Sequence, residues 1–234
     1  SGPITSPRTG LAVHFEVPKL RKHSLKEFAQ HYLMIVLSIL TALGLEQWIE
    51  RAHHRHAAEY ASTQIEAELR ANLKDIRTSK QVNAQNLGPL NELNDAIIAD
   101  VRKGVPDKLI NQHVQSLQGK FVLSVNWPTF ASQAWDVAVA NQSATWIDTA
   151  TLRRFSAAYA AQREAATWVT HDSTLALDAP RMVALRTRIQ LGVDIDPIEF
   201  LGVVRQMINT NTQTQLHLEQ TEKQVVAALP AGSN

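Results

Sequence analysis

The chain has 234 residues, of which 44% are hydrophobic, with 23 basic and 22 acidic side chains and no cysteine. A nearly balanced charge provides no positive field for nucleic acid, so no nucleic-acid partner is expected. The absence of cysteine excludes disulfides and thiolate metal sites. The length suits one helical domain in addition to an apolar N-terminal segment.

Residues 1–26 are predicted to form a flexible basic tail in the cytoplasm. Glycine and proline recur through this stretch, and both interrupt regular secondary structure. They stand at Gly2, Pro3, Pro7, Gly10 and Pro18. We therefore expect the first helix to begin only near residue 25.

The segment 27–48 is predicted to be a transmembrane helix. Phe28 to Trp48 comprises 21 residues, which at about 1.5 Å per residue match the roughly 30 Å of a bilayer core. Phe28 and Tyr32 at one edge and Trp48 at the other are the expected anchors, because aromatic rings favour the headgroup zone. The strictly apolar part is short enough for a buried helix of a soluble protein, and that alternative stays open.

Basic residues on the two sides of this segment predict its orientation. Five precede it and two fall in the twenty residues after it, namely Arg8, Lys19, Arg21, Lys22 and Lys26 against Arg51 and Arg55. The positive-inside rule then places the N-terminus in the cytoplasm and the later domain outside, which in a bacterium means the periplasm. No small-residue cleavage site follows the segment, which favours an uncleaved anchor over a signal peptide.

One face of the predicted span carries small side chains. Ser38 and Ala42 lie four residues apart, and Thr41 adds a hydroxyl on a nearby face. Such faces allow transmembrane helices to pair closely. The expected partners are therefore the lipid bilayer and either a second copy of the chain or another membrane or periplasmic protein. An inert anchor is the alternative.

Residues 49–234 are predicted to form a helical extracytoplasmic domain. Apolar residues at helical spacing over 65–76 predict one wall of it, and Pro89 is expected to open a second helix that ends near Gly104. A third helix is predicted over 107–117. The stretch 121–128 is expected to be a packed connector, because a single strand without a partner cannot form a sheet.

Three further helices complete the prediction. Thr129 is expected to cap a helix that carries Trp135, and Asp148 to cap the next one. Asp196 followed by Pro197 is typical of a cap and first turn, although residues 209–215 are poor helix formers. The pattern predicts an all-α fold, in which a transmembrane helix continues into an up-and-down helical bundle.

Two blocks of the chain resemble a known family. The first is LKEFAQHYLMIVLSILTALGLEQWIERA with EAELRANLKDI, in which Glu46-Gln47-Trp48 is followed by Glu68-Leu69 and Asn72-Leu73. The second is WPTFASQAWDVAVANQSATWIDTATLRRFSAAY, which departs from the usual pattern by having Ala140-Asn141 where a glycine turn is typical. Both are similar to an uncharacterised family of single-span bacterial inner-membrane proteins. The resemblance implies an anchored helical extracytoplasmic domain and no particular activity.

Aromatic residues are the main candidates for a core or a pocket. Trp127 enters the helix that carries Trp135 and Trp146 leaves it, so these three rings are expected to meet in one core with Phe155 and Tyr159.

No catalytic, cofactor-binding or metal-binding site is predicted. His53 and His56 share a helix face, but two imidazoles without a third ligand do not make a metal site. The sequence favours a non-catalytic module for partner binding, scaffolding or sensing at the membrane. The alternative is a periplasmic small-ligand sensor or enzyme with an aromatic-lined pocket.

Overall fold

A computed structural model describes residues 25–171 and 179–230. These residues form helices and no strand, which confirms the all-α class. The helices are α1 (Leu25–Arg102), α2 (Asp107–Ser116), α3 (Gln133–Ala140), a 3-10 turn (Ser143–Trp146), α4 (Thr149–His171), α5 (Ala179–Gln190) and α6 (Pro197–Ala228). The predicted tail lies outside the described residues as far as position 24.

The chain divides after Arg51 into two compact units. The first contains the start of α1, where an 18-residue window has a mean hydropathy of 1.7 and none of it is buried. Within the described part of the chain, α1 is the one helix long and apolar enough to cross a membrane. The alternative of a helix buried inside its own protein finds no support in this exposure.

The second unit begins with the remainder of α1, which does not break where the sequence predicts. The helix passes through Pro89 to Arg102, so the predicted second helix is a continuation of the first. An interior proline costs about 3 kcal/mol. The fully buried Leu90, Leu93 and Ile97 follow it and offset that cost, since each contributes roughly 1.5–3 kcal/mol.

An extended connector, residues 121–132, runs back along α1; we call it the strap. The amide of Asn83 binds the backbone of Asn126, and the amide of Asn72 binds the backbone of Ala131. The strap therefore advances five residues, from Asn126 to Ala131, along a part of α1 that is eleven residues and about 16 Å long. The spacing of roughly 3.3 Å per residue is that of a nearly extended chain. The predicted packed connector is therefore a return passage antiparallel to α1.

The helices α1, α4 and α6 and the strap run in alternating directions along the sequence. Glu68 contacts Tyr159 and Asn72 contacts Gln162, so α1 and α4 run parallel. The α1 contacts of α6 run in the opposite order, from Lys80 with Glu222 to Asn94 with Arg205. The chain therefore travels up, down, up and down as an up-and-down bundle does, but its second passage is extended instead of helical.

Two apolar clusters form the core of the second unit. The first lies between the middle of α1, α3, α4 and late α6 and includes Ile65, Leu69, Phe155, Tyr159 and Leu218. The second joins late α1, α2, α5 and early α6 and includes Leu93, Ile97, Val114, Phe200 and Met207. Between them in sequence, α1 and α6 bury polar residues: Ser79, Asn83, Thr210, Asn211 and Thr214.

Helix ends agree with the sequence in two places and differ in a third. Asp148 accepts hydrogen bonds from the backbone of Ala150 and Thr151 as the predicted cap, and Asp196 accepts one from Glu199. The helix predicted from Thr129 instead starts at Gln133. Its start is delayed because α1 holds the preceding backbone in the strap.

The last helix also runs further than its residues alone would favour. Residues 209–215 are helical, although the sequence predicts a weak helix there. Thr210, Asn211 and Thr214 are fully buried, and Gln215 donates a hydrogen bond to the carbonyl of Lys80 at 2.6 Å. Tertiary packing therefore overrides a poor intrinsic helix propensity.

Candidate functional site

A groove of about 400 Å³ lies between α1 and α3 in the second unit. Its α1 wall is Tyr60, Ala61, Gln64, Ala67 and Glu68, and the opposite wall is Gln133, Ala134, Val137, Ala138, Asn141 and Ser143. The α1 residues share one face of that helix, and so do the four from α3, while Asn141 and Ser143 follow the end of α3. The alanines leave open space where larger side chains would fill the contact. The volume falls in the range of small-molecule sites.

Glu68 holds this groove together. One carboxylate oxygen accepts the hydroxyl of Tyr159 at 2.6 Å, and the other accepts the backbone N–H of Ala134 at 3.0 Å. Ala134 stands in the first turn of α3, where backbone N–H groups have no partner inside the helix and favour negative charge. The Glu68 carboxylate thus ties α1 to both α3 and α4.

The charge of Glu68 has no ionic partner within the described ranges, since it takes part in none of the salt bridges found there. The described lining of the groove also contains no lysine, arginine or histidine. Burial, then the hydrogen bond and charge of Glu68, raise the pKa of Tyr159 well above its usual value. The phenol therefore stays protonated and remains a hydrogen-bond donor at physiological pH.

Asn72 lies one turn after Glu68 on α1 and makes a second set of polar contacts. Its side-chain amide donates to the carbonyl of Ala131 and to Gln162, and its oxygen accepts the N–H of Ala131. The donor and acceptor of one strap residue are thus both satisfied by one buried side chain, as a neighbouring strand would do. Asn72 fixes the strap immediately before α3 and so positions one wall of the groove.

The tryptophans lie in three different surroundings, so the prediction of one shared core is wrong. Trp135 packs on the first cluster and stacks on Tyr159 with ring centroids 5.2 Å apart. Trp146 is 50% exposed and stacks on His54 at 3.5 Å. Trp127 is half-buried and belongs to neither apolar cluster. The 3-10 turn carries Trp146 outward, while the buried Ile147 beside it enters the core.

Two other members of the predicted aromatic set are central. Phe155 and Tyr159 are fully buried on successive turns of α4. Both belong to the first cluster, whereas none of the groove-lining residues is a tryptophan. The pocket that the structure offers is therefore lined by alanines and amides, with Tyr159 and Trp135 packed behind it.

The span residues lie on an exposed helix. Phe28, Tyr32 and Trp48 are all exposed. The hydroxyls of Ser38 and Thr41 donate to the carbonyls four residues earlier, at 2.8 Å in both cases. These hydroxyls satisfy themselves within the helix, so the small face of Ser38, Thr41 and Ala42 offers close packing more than hydrogen bonding.

Two of the histidine contacts elsewhere in the second unit border cavities. The ring of His113 contacts Asp100 at 2.6 Å beside a cavity of about 540 Å³ that Glu92 and Lys120 also line. The His54 and Trp146 stack borders another cavity, of about 510 Å³. In neither place, nor anywhere else in the residues described, do three His, Asp or Glu side chains come together as metal ligands.

Sequence reasoning missed Glu68 and Asn72 as site residues, although a signal was present. The apolar stripe of α1 places Ile65, Leu69 and Leu73 on one face. Glu68 and Asn72 fall three and seven residues after Ile65, which are positions of the same face. A charged or amide side chain inside an apolar stripe indicates a buried polar contact.

Comparison with known proteins assigns no family. No family model matches the chain, and no match is found among curated proteins or solved structures. Its role must therefore follow from its own residues.

Proposed function

We propose that the chain is a single-span protein of a bacterial inner membrane, with its N-terminus in the cytoplasm and its helical bundle in the periplasm. The bundle serves as a non-catalytic binding or sensing module. The main observation that supports this proposal is the exposed apolar stretch of α1 in the first unit. The basic residues before it and the resemblance of two sequence blocks to single-span proteins support the same proposal.

A membrane is the natural solvent for the exposed apolar side chains of α1. Eight of them are between 49% and 67% exposed: Leu33, Met34, Ile35, Leu37, Ile39, Leu40, Leu43 and Leu45. Transfer of each from water to hydrocarbon is favourable by roughly 1 kcal/mol or more. Ser38 and Thr41, which lie among them, add little cost in hydrocarbon because their hydroxyls are already hydrogen-bonded within the helix.

The binding role rests on the groove beside α3. Both oxygens of Glu68 are engaged as acceptors, which holds the carboxylate in one position within a cavity of ligand size. A fixed charge among small apolar and amide side chains suits recognition. This observation also favours the small-ligand sensor as the second candidate, with the groove in place of the expected aromatic pocket.

Reporter fusions test the topology. Alkaline phosphatase fused after α6 should be active, and a fluorescent reporter that folds only in the cytoplasm should be dark at the same position. The chain should also stay in the membrane pellet after alkaline carbonate extraction. As a control, Ile39→Arg with Leu40→Arg should release it to the soluble fraction, because two charges at the centre of a span are costly.

Two results would contradict the proposal. An inactive phosphatase with a bright fluorescent reporter would reverse the orientation. Release of the unmodified chain by carbonate would remove the membrane anchor altogether.

A further inference from the structure

We propose that the groove between α1 and α3 binds a small organic cation, whose ammonium group lies against Glu68. The inference deepens the proposed binding role, but it does not depend on membrane insertion. It starts from two facts taken together: a carboxylate that no basic side chain of the described residues neutralises, and a cavity of about 400 Å³ beside it.

A purely structural role explains only part of this arrangement. Glu68 links Tyr159 to Ala134, and a neutral glutamine would keep one acceptor for such a link. A partly buried charge without a counterion carries a desolvation cost that a neutral residue avoids. A cationic ligand in the adjoining space would offset that cost. The carboxylate and the cavity are then explained by one function.

The other residues that line the groove indicate which chemical groups the rest of the ligand carries. Ala61, Ala67, Ala134 and Ala138 provide a shallow apolar surface for a short carbon chain. The amides of Gln64, Gln133 and Asn141 can donate to or accept from a hydroxyl or carbonyl of the ligand. The exposed ring of Tyr60 stands at the rim, where an aromatic face also attracts a cation.

These features favour a singly charged amine over a polyamine. Glu68 is the one acidic residue among the described groove-lining residues, so a second positive charge would find no partner there. A cavity of about 400 Å³ lies within the roughly 300–1,000 Å³ that is usual for small-molecule sites. We therefore assign the groove to a small amine with one polar group.

Calorimetric titration of the full chain in a non-ionic detergent tests this assignment with aminopentanol as the probe. We expect saturable binding below about 20 mM, with pentanediol, its neutral analogue, binding at least about tenfold more weakly. Glu68→Gln should lower the affinity for aminopentanol by about tenfold or more. Glu59→Gln is the matched control, because Glu59 is an exposed α1 carboxylate outside the groove lining and should leave binding unchanged.

A second variant separates ligand binding from folding. Ala67→Phe fills the groove from an exposed position and leaves the contacts of Glu68 intact. It should abolish aminopentanol binding while the thermal midpoint of the chain stays unchanged.

Three outcomes would overturn the assignment. They are equal binding of pentanediol, undiminished binding by Glu68→Gln or Ala67→Phe, and no saturable binding by the unmodified chain. A lysine-containing peptide that binds where aminopentanol does not would indicate a protein partner instead. The reporter fusions above report on the anchor alone, so failure of either idea can be recognised separately.

Discussion

The two parts of α1 are both rich in apolar residues, but only one of them is packed. From Leu25 to Arg51 apolar side chains surround the helix and are exposed, whereas from Ala52 onward they form a stripe that is buried. Leu40 is 60% exposed and Leu69 is 0% exposed on the same helix. The difference shows that angular distribution, more than apolar content, decides whether a helix faces its own core or a different solvent.

The largest expected effect comes from shortening a leucine in each part. Leu69→Ala should lower the free energy of unfolding of the bundle by about 3 kcal/mol, because it leaves a cavity in the first cluster. Leu40→Ala should leave that free energy unchanged. Urea denaturation of the full chain in detergent, followed by circular dichroism, measures both. Equal losses would mean that the exposed part also belongs to the folded core.

Two polar residues, Asn72 in the packed part of α1 and Ser38 in the exposed part, test the same difference. Asn72→Ala should cost about 2 kcal/mol, since it leaves buried groups of Ala131 and Gln162 without their partner. Ser38→Ala removes only a bond within its own helix turn and should have no measurable effect. Hydrogen exchange in the Asn72 variant should rise first in the strap. Unchanged protection there would show that the strap is held by something other than the Asn72 amide.

Tryptophan substitutions extend the comparison to aromatic residues. Trp135→Ala should cost about 2 kcal/mol, because the ring is half-buried on Tyr159. Trp146→Ala should cost less than about 1 kcal/mol, since its ring is half-exposed. Trp48→Ala should not change unfolding of the bundle. Thermal midpoints in that order agree with the structure, and a larger shift for Trp146 than for Trp135 would contradict it.

The smallest effect concerns an ion pair between α6 and the packed part of α1. Burial acts to raise the pKa of Glu222, but hydrogen bonds from Lys80 and Arg77 outweigh it and lower that pKa below its usual 4.5. A lowered pKa in the folded state contributes stability above pH 4.5, and this contribution is lost as pH falls through the folded value.

Glu222→Gln should therefore cost at most about 1 kcal/mol at neutral pH, because the glutamine keeps an oxygen that accepts a hydrogen bond and the partly exposed Arg77 is screened by solvent. The difference between the variant and the unmodified chain should shrink in acid below that pH. Denaturation midpoints at a series of pH values measure it. A difference that grows on acidification would contradict the sign of the shift.

Much of the fold follows from the sequence because it depends on local signals. Helical periodicity predicts the wall over 65–76, and side-chain oxygens before a first turn predict the caps at Asp148 and Asp196. Pro89 misleads because a proline's local cost is outweighed by buried leucines on the next turns.

The groove was beyond sequence reasoning because its walls are far apart in the chain. Glu68 meets Ala134 and Tyr159 across 66 and 91 residues, and periodicity carries no information about such distant pairs. The large tryptophan rings predict a core, but a 3-10 turn directs Trp146 outward, and no local sequence motif predicts that turn. Polar residues inside an apolar stripe are the better indicator of a site in this chain.

The long separation between α1 and α6 in the sequence has a consequence for the order of folding. Residues of α6 complete both apolar clusters. The contacts of Lys80 with Gln215 and Glu222 join residues that are 135 and 142 positions apart. During synthesis, α1 emerges long before its partner, so its apolar stripe stays open until nearly the whole domain has been made. Closure over such separations is slow. The nascent domain is therefore most exposed to aggregation and to chaperone binding before α6 is synthesised.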